Sequence, residues 1–241
     1  VRVIIPSASI ERKLSVKTFW LIPSKDFFNI TGGDPILHRD FWQLLTLIKE
    51  HEIPFTILGN PFHLTDAVVS VGVDVFAFAR YCPTSEEKDT GISPLEYREL
   101  LDTCYNKFQK YEAEGCHTYF NKKDHLWTLY EYEKGIFKIP EDTQDGMIYG
   151  GCNCGNCHMT ILPTGDVYAC RRVQGSKVGN VLNDRLADIW VCQMEAYRDY
   201  TKFEKCSKCE LLAFCRGCPA VASGKDGNFY AADPQCWKEV V

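Results

Sequence analysis

The stretch GGCNCGNCHMTILPTGDVYACRRV, Gly150–Val173, carries four cysteines, three of them within six residues. It also has the marks of a β-hairpin. HMTIL and VYACRRV flank PTGD, a turn in which Gly165 supplies backbone freedom. That many thiols around one turn call for crosslinks, a metal or chemistry. The chain of 241 residues has thirteen cysteines, and ten lie in the tail: Cys152, Cys154, Cys157, Cys170, Cys192, Cys206, Cys209, Cys215, Cys218 and Cys236. Cys82, Cys104 and Cys116 are scattered and read as structural. Disulfides suit small secreted domains without a core. This chain is 45% hydrophobic and 13% aromatic, and VRVIIPSASIERK lacks a signal-peptide core, so a soluble cytoplasmic protein is expected. In a reducing compartment, short-spaced cysteines point to metal ligands.

Farther along, Asp184–Tyr200 reads as one helix with Leu186, Ile189, Trp190, Gln193 and Tyr197 on a single face. Cys192 falls off that stripe and reads as a bystander. CSKCELLAFCRGCPA then packs four thiols into thirteen residues, and DPQCW adds Cys236. A zinc ribbon separates its two C-x2-C knuckles by roughly 15–20 residues. Here Cys206-x2-Cys209 and Cys215-x2-Cys218 are five residues apart, a poor fit. Iron–sulfur clusters take four thiolates each, commonly from compressed runs. With Cys152, Cys170 and Cys236 the count supports two four-ligand sites, and spacing alone leaves zinc and iron–sulfur both open.

Upstream the chain reads as α/β. FFNI (27–30) is a short strand ending in TGGDP, Phe41, Leu44, Leu45 and Ile48 form a helical stripe, and PFTIL (54–58) is a second strand. Together they make a βαβ unit with parallel strands and a right-handed crossover. VDVFAFA (73–79) is apolar on both faces, as a strand covered on both sides would be. Ser93, Pro94 and Glu96 start a helix with a capping box, running to about Tyr111. Residues 112–150, including HLWTLYEYEKGIF, fit no clear pattern, and composition shifts at Gly150, giving domains 1–149 and 150–241. The net charge of −5 and pI near 5.7 exclude a basic nucleic-acid or anionic-membrane surface. No apolar run approaches the ~20 residues of a membrane span.

The cysteine order resembles a known family. Cys152, twelve residues, Gly165, four residues, Cys170, then C-x2-C-x5-C, another cysteine and a last one are similar to the SPASM domain of radical S-adenosylmethionine (SAM) enzymes. VGNVLNDRLADIW resembles the stretch joining the two halves of that domain. TGGDPILHRDFWQLL resembles the family's GGE motif, and LGNPFHL the Asn-bearing strand end after it. The resemblance implies a (β/α)6-type barrel, partial here, followed by a SPASM domain with a β-hairpin and short helices. The family's C-x3-C-x2-C motif is absent, since no cysteine precedes Cys82, and the 150 N-terminal positions are too few for six βα units. Segments are therefore expected to be missing, with junctions near Ser7–Pro23 and Thr65–Gly72.

By that resemblance Gly32, Gly33 and Asp34 meet the SAM amino group, and Asn60 reaches the same ligand. Cys152, Cys170 and Cys218 hold a first [4Fe–4S] cluster, with Cys157 as fourth ligand and Cys154 the alternative. Cys206, Cys209, Cys215 and Cys236 hold a second, and a catalytic cluster belongs to the missing segment. Cys215-x2-Cys218 is one residue shorter than the family's spacing. Arg171 stands where sulfatase maturases have an Asp, which turns the implied activity toward maturases that install thioether or carbon–carbon crosslinks in ribosomally made peptides. The implied partners are a precursor peptide and an external electron donor. Sulfatase-maturase-like oxidation, a small-molecule radical SAM enzyme and a non-catalytic iron–sulfur peptide-binding scaffold are the alternatives.

Overall fold

A computed structural model describes residues 2–4, 28–31, 35–64, 66–83 and 91–240. The chain divides into two compact units, Val1–Ala79 with Thr103–Lys123, and Arg80–Asp102 with Asp124–Val241. Ser7–Pro23 and Gly32–Asp34 lie outside the described residues.

The first unit is built on five strands: β1 (Arg2–Ile4), β2 (Phe28–Thr31), β3 (Phe55–Leu58), β4 (Val75–Ala77) and β5 (Tyr119–Asn121). Every pairing is parallel, and the order in the sheet is the order in the chain. The expected pairing of the first two apolar strands is present, with Phe28 opposite Phe55 and Ile30 opposite Ile57. Helix α1 (Phe41–Glu50) joins them and buries Phe41, Leu44, Leu45 and Ile48, the expected stripe. Helix α2 (Asp66–Ser70) lies where a junction was expected and leads into β4. β5 escaped the sequence because only Phe120 of its three residues is buried. That ring stacks on Phe108 at 4.6 Å.

Helix α3 (Pro94–Ala113) starts with the expected reciprocal cap. The Ser93 amide donates to Glu96 Oε2 at 2.7 Å, and the Glu96 amide donates to Ser93 Oγ at 3.3 Å.

In the second unit, α4 (Leu126–Glu133) occupies part of the stretch without a sequence pattern and buries Leu126, Trp127, Leu129 and Tyr130. A helix buried on so broad a face shows no narrow apolar stripe. The expected hairpin forms from β6 (Thr160–Ile161) and β7 (Asp166–Tyr168), with Gly165 at φ 83° in the turn. A third strand, β8 (Lys177–Asn180), pairs antiparallel with β7. The helix expected over 184–200 is shorter. α5 covers only Leu186–Val191 and gives way to 3₁₀ turns at Gln193–Arg198 and Tyr200–Lys202. The Arg198 guanidinium accounts for the break: it donates to the carbonyls of Trp190 and Gly155, both at 2.7 Å, and lies 4.7 Å over the Trp190 ring. With the tighter winding, Met194 is buried and Gln193 is exposed, reversing the expected stripe at that point. Helix α6 (Pro219–Asp226) opens on Pro219 and closes on Gly227 at φ 72°.

A buried ionic knot holds this unit. Arg80 donates through Nε to Asp124 at 2.8 Å, through Nη1 and Nη2 to Asp233 at 2.6 and 2.7 Å, and to Gln235 Oε1 at 3.1 Å. The guanidinium also sits 5.0 Å over the Tyr97 ring. Burial would raise the Asp233 pKa, but the Arg80 charge and hydrogen bonds outweigh it and hold it below the ordinary carboxylate value. A depressed folded pKa gives stability that is present above the unfolded carboxylate value and lost as pH falls through the folded one. Breaking a buried pair by removing one partner costs about 3–5 kcal/mol. Asp233→Asn should therefore lower unfolding free energy by about that amount near neutral pH, and denaturant melts at falling pH should show the gap to wild type closing. A gap below 1 kcal/mol at neutral pH would count against the knot.

Candidate metal centre

All thirteen cysteines are free thiols. Two groups of them assemble in the second unit. The first draws Cys152 and Cys154 from the loop before the hairpin, Cys170 from just after β7 and Cys218 from the residue before α6. Cys152 and Cys154 hydrogen-bond to one another, and the shared proton pulls the Cys152 thiol down to about 4 while Cys154 is pushed up. Cys82 and Cys218 share a proton in the same way, with Cys218 pulled down to about 6 and Cys82 pushed up. The Arg172 guanidinium donates to Cys82 Sγ at 2.8 Å. Burial would lower the His125 pKa, but its hydrogen bond to Cys152 outweighs this and raises it. Thiolate is thus favoured at Cys152 and Cys218, while burial raises the Cys170 thiol.

The second group joins Cys206 and Cys209, at the two ends of a 3₁₀ turn, to Cys215 and Cys236. Burial dominates here. It pushes the Cys206 thiol up to about 12 and raises Cys215 and Cys236 as well. An open cavity of about 850 Å³ runs alongside and is lined by Cys209, Glu210, Ser207, Lys202 and Tyr200.

The loops that bring the groups together meet backbone to backbone. A Cβ on Gly151, whose φ is 77°, would stand 1.9 Å from the Cys215 carbonyl oxygen, so only glycine fits. Asp233 Oδ2 accepts from the Cys218 amide at 2.7 Å and ties this ligand loop to the Arg80 knot. Among the described residues no three Cys, His, Asp or Glu side chains are drawn together as donors to one metal ion.

Cys152, Cys170 and Cys218 thus stand together, as do Cys206, Cys209, Cys215 and Cys236. Cys157 is exposed, and Cys154 rather than Cys157 is buried among the first group. Cys192 is exposed. Cys82 was missed by sequence reasoning because no spacing connects it to the tail. Gly32, Gly33 and Asp34 lie outside the described residues. Asn60 follows β3 and caps the 3₁₀ turn Pro61–His63, its Oδ1 accepting from the Phe62 amide at 3.0 Å.

Residues 152–219 match the SPASM family model, described as an iron–sulfur cluster-binding domain. The tail is a SPASM domain. The chain is 27% identical over 182 residues to the AdoMet-dependent heme synthase of Nitratidesulfovibrio vulgaris, covering 73% of this chain and 48% of that protein. It is 25% identical over 205 residues to the protein of the same name from Oleidesulfovibrio alaskensis, covering 81% of this chain and 50% of that one. The chain therefore spans about half the length of the curated relatives it matches. Among solved structures, Streptococcus suis SuiB bound to S-adenosylmethionine and SuiB bound to precursor peptide SuiA are both 19% identical with a TM-score of 0.48. Each match covers 88% of this chain, and 66% and 65% of SuiB respectively. The family match is thus confined to the cysteine-rich segment of the second unit.

The placement of Cys154 yields a direct comparison. Cys154→Ser should remove the iron of one cluster from anaerobically purified protein, while Cys157→Ser and Cys192→Ser keep full iron content. Equal loss from Cys154→Ser and Cys157→Ser would mean that the exposed thiol also binds.

Proposed function

We propose that the second unit holds two [4Fe–4S] clusters that serve a radical SAM active site. The observation that carries this is the interleaved pair of buried and half-buried thiol groups, Cys152, Cys154, Cys170 and Cys218 beside Cys206, Cys209, Cys215 and Cys236. Four thiolates are what each cluster requires. The surrounding residues suit an anionic group: Arg172 and His125 face the first set, and Lys205 donates to the Cys236 carbonyl at 3.0 Å beside the second.

In this reading the parallel sheet is part of a (β/α)6-type barrel, a view supported by a strand order that never reverses. The ligands of the catalytic cluster belong to sequence outside these 241 residues, in keeping with the half-length match to the curated relatives. SAM and a reduced catalytic cluster, when bound, would supply hydrogen-atom abstraction from unactivated carbon. By the resemblance of TGGDP to the family's GGE motif, Gly32, Gly33 and Asp34 are the residues assigned to the SAM amino group. The clusters would carry electrons, and the open cavity lined by Cys209 leads from solvent to the second thiol group.

For the substrate, we favour a ribosomally made peptide that receives a thioether or carbon–carbon crosslink. Arg171 removes the acidic candidate base of the sulfatase maturases, and together with Arg172 it gives the turn after β7 a positive face for an acidic peptide. The names of the curated relatives favour a second reading, a SAM-dependent step in heme formation.

Full-length protein purified without oxygen should be brown and carry about eight irons from these two sites. Stoichiometric zinc in a colourless protein would sink the cluster reading. With a strong reductant the protein should cleave SAM to 5′-deoxyadenosine, and Asp34→Ala should weaken SAM binding by roughly 1.5–3 kcal/mol. A peptide product about two mass units lighter than its precursor is the expected outcome of an oxidative crosslink. Turnover of a tetrapyrrole precursor of heme, with no change in the peptide, would select the second reading.

A further inference from the structure

Arg216 lies between the two thiol groups and, among the described residues, has a buried charge without a carboxylate partner. The residue is 4% exposed. All of its hydrogen bonds end on main-chain carbonyls. Nη1 donates to Leu212 at 2.9 Å, and Nη2 donates to Gly150 at 2.8 Å and to Cys152 at 2.7 Å. Gly150 and Cys152 belong to the loop of the first group, and Leu212 lies between two thiols of the second, Cys209 and Cys215. The guanidinium is also 5.1 Å over the Tyr200 ring. Its backbone is held at φ 73°, a conformation that costs a non-glycine residue and marks a position fixed by its surroundings.

A buried cation is costly unless an anion compensates it. Among the described residues the nearby groups able to take a negative charge are the Tyr200 hydroxyl and three thiols, Cys152 of the first group and Cys215 and Cys206 of the second.

We propose that Arg216 is a counter-charge shared by the two clusters, fixed between the loops that carry them, and that it raises the reduction potential of both. The inference rests on the iron–sulfur reading above. Each cluster gains one electron on reduction, and a fixed positive charge nearby stabilises the more negative state. The electron comes from a mediator at the electrode.

The test compares Arg216→Gln with Arg216→Lys in the full-length, anaerobically purified protein. Both variants lose the planar fork and keep the same backbone strain, but only glutamine loses the charge. Iron and sulfide are measured first, and each cluster's midpoint potential is then followed by electron paramagnetic resonance. Arg216→Gln should shift the potentials negative by about tenfold in the one-electron equilibrium constant, about 59 mV, while Arg216→Lys stays near wild type. Loss of iron from Arg216→Gln alone also supports the proposal, because the clusters' negative charge then goes uncompensated. Equal potentials in the two variants, or equal loss of iron from both, would overturn it, leaving Arg216 as a structural tie between loops. A wild-type protein without iron would instead remove the cluster reading on which the inference stands.

Discussion

The buried guanidinium of Arg80 fixes where the thiol loops of the second unit can go. It is held by Asp124, Asp233 and Gln235, residues distant in sequence, and both carboxylates are buried with it. Taking three charges out of water consumes much of what their attraction returns, so such a knot is weak evidence for net stability and stronger evidence for geometry. The geometry is specific. Asp233 uses both carboxylate oxygens on Arg80, and one of them also accepts from the Cys218 amide. A Cβ on Gly217 would stand 2.6 Å from the same carboxylate, so the chain between Cys215 and Cys218 has to pass Asp233 as bare backbone. The cysteine loop, the C-terminal segment and Arg80 are thereby fixed by one set of hydrogen bonds.

Much of the fold was legible because its signals are local. The hairpin turn needed Gly165, the capping box needed Ser93 and Glu96, and the stripe of α1 needed four residues at helical spacing. The failures were tertiary. Nothing near Asp184–Tyr200 announces that Arg198 will leave the helical path to satisfy the Trp190 and Gly155 carbonyls. β8 contains Gly179, which weakens a strand signal, yet a Cβ there would lie within 2.9 Å of Ile189 and Asp184 side-chain atoms. The grouping of the tail thiols came from a family resemblance, not from spacing. Cys82, Arg80 and His125 join the site from outside that pattern, and no linear motif could have named them.

The two thiol groups also differ in how ready they are for metal. Ligand thiols must be deprotonated before they bind, so loading releases protons. In the first group the Cys152–Cys154 and Cys82–Cys218 pairs already share protons beside His125 and Arg172, which leaves thiolate character in place. In the second, burial without a comparable ring of cations keeps Cys206, Cys215 and Cys236 protonated. The same residue types are thus held in two electrostatic settings within one small domain.

The short spacer between Cys215 and Cys218 links these settings. A C-x2-C pair commonly closes on a single metal centre, as in zinc knuckles. Here Arg216 at φ 73° and Gly217 at φ 61° place two successive residues in the left-handed region, which turns the chain sharply between the thiols. Cys215 is sent to the group of Cys206 and Cys236, and Cys218 to that of Cys82 and Cys170. Glycine takes such a turn freely, and its lack of a Cβ lets the chain pass Asp233. Arginine does not take it freely, and it persists beside the glycine with its guanidinium spread over carbonyls from both sides of the divide. The backbone that separates the two sites is therefore also the backbone that sets a positive charge between them.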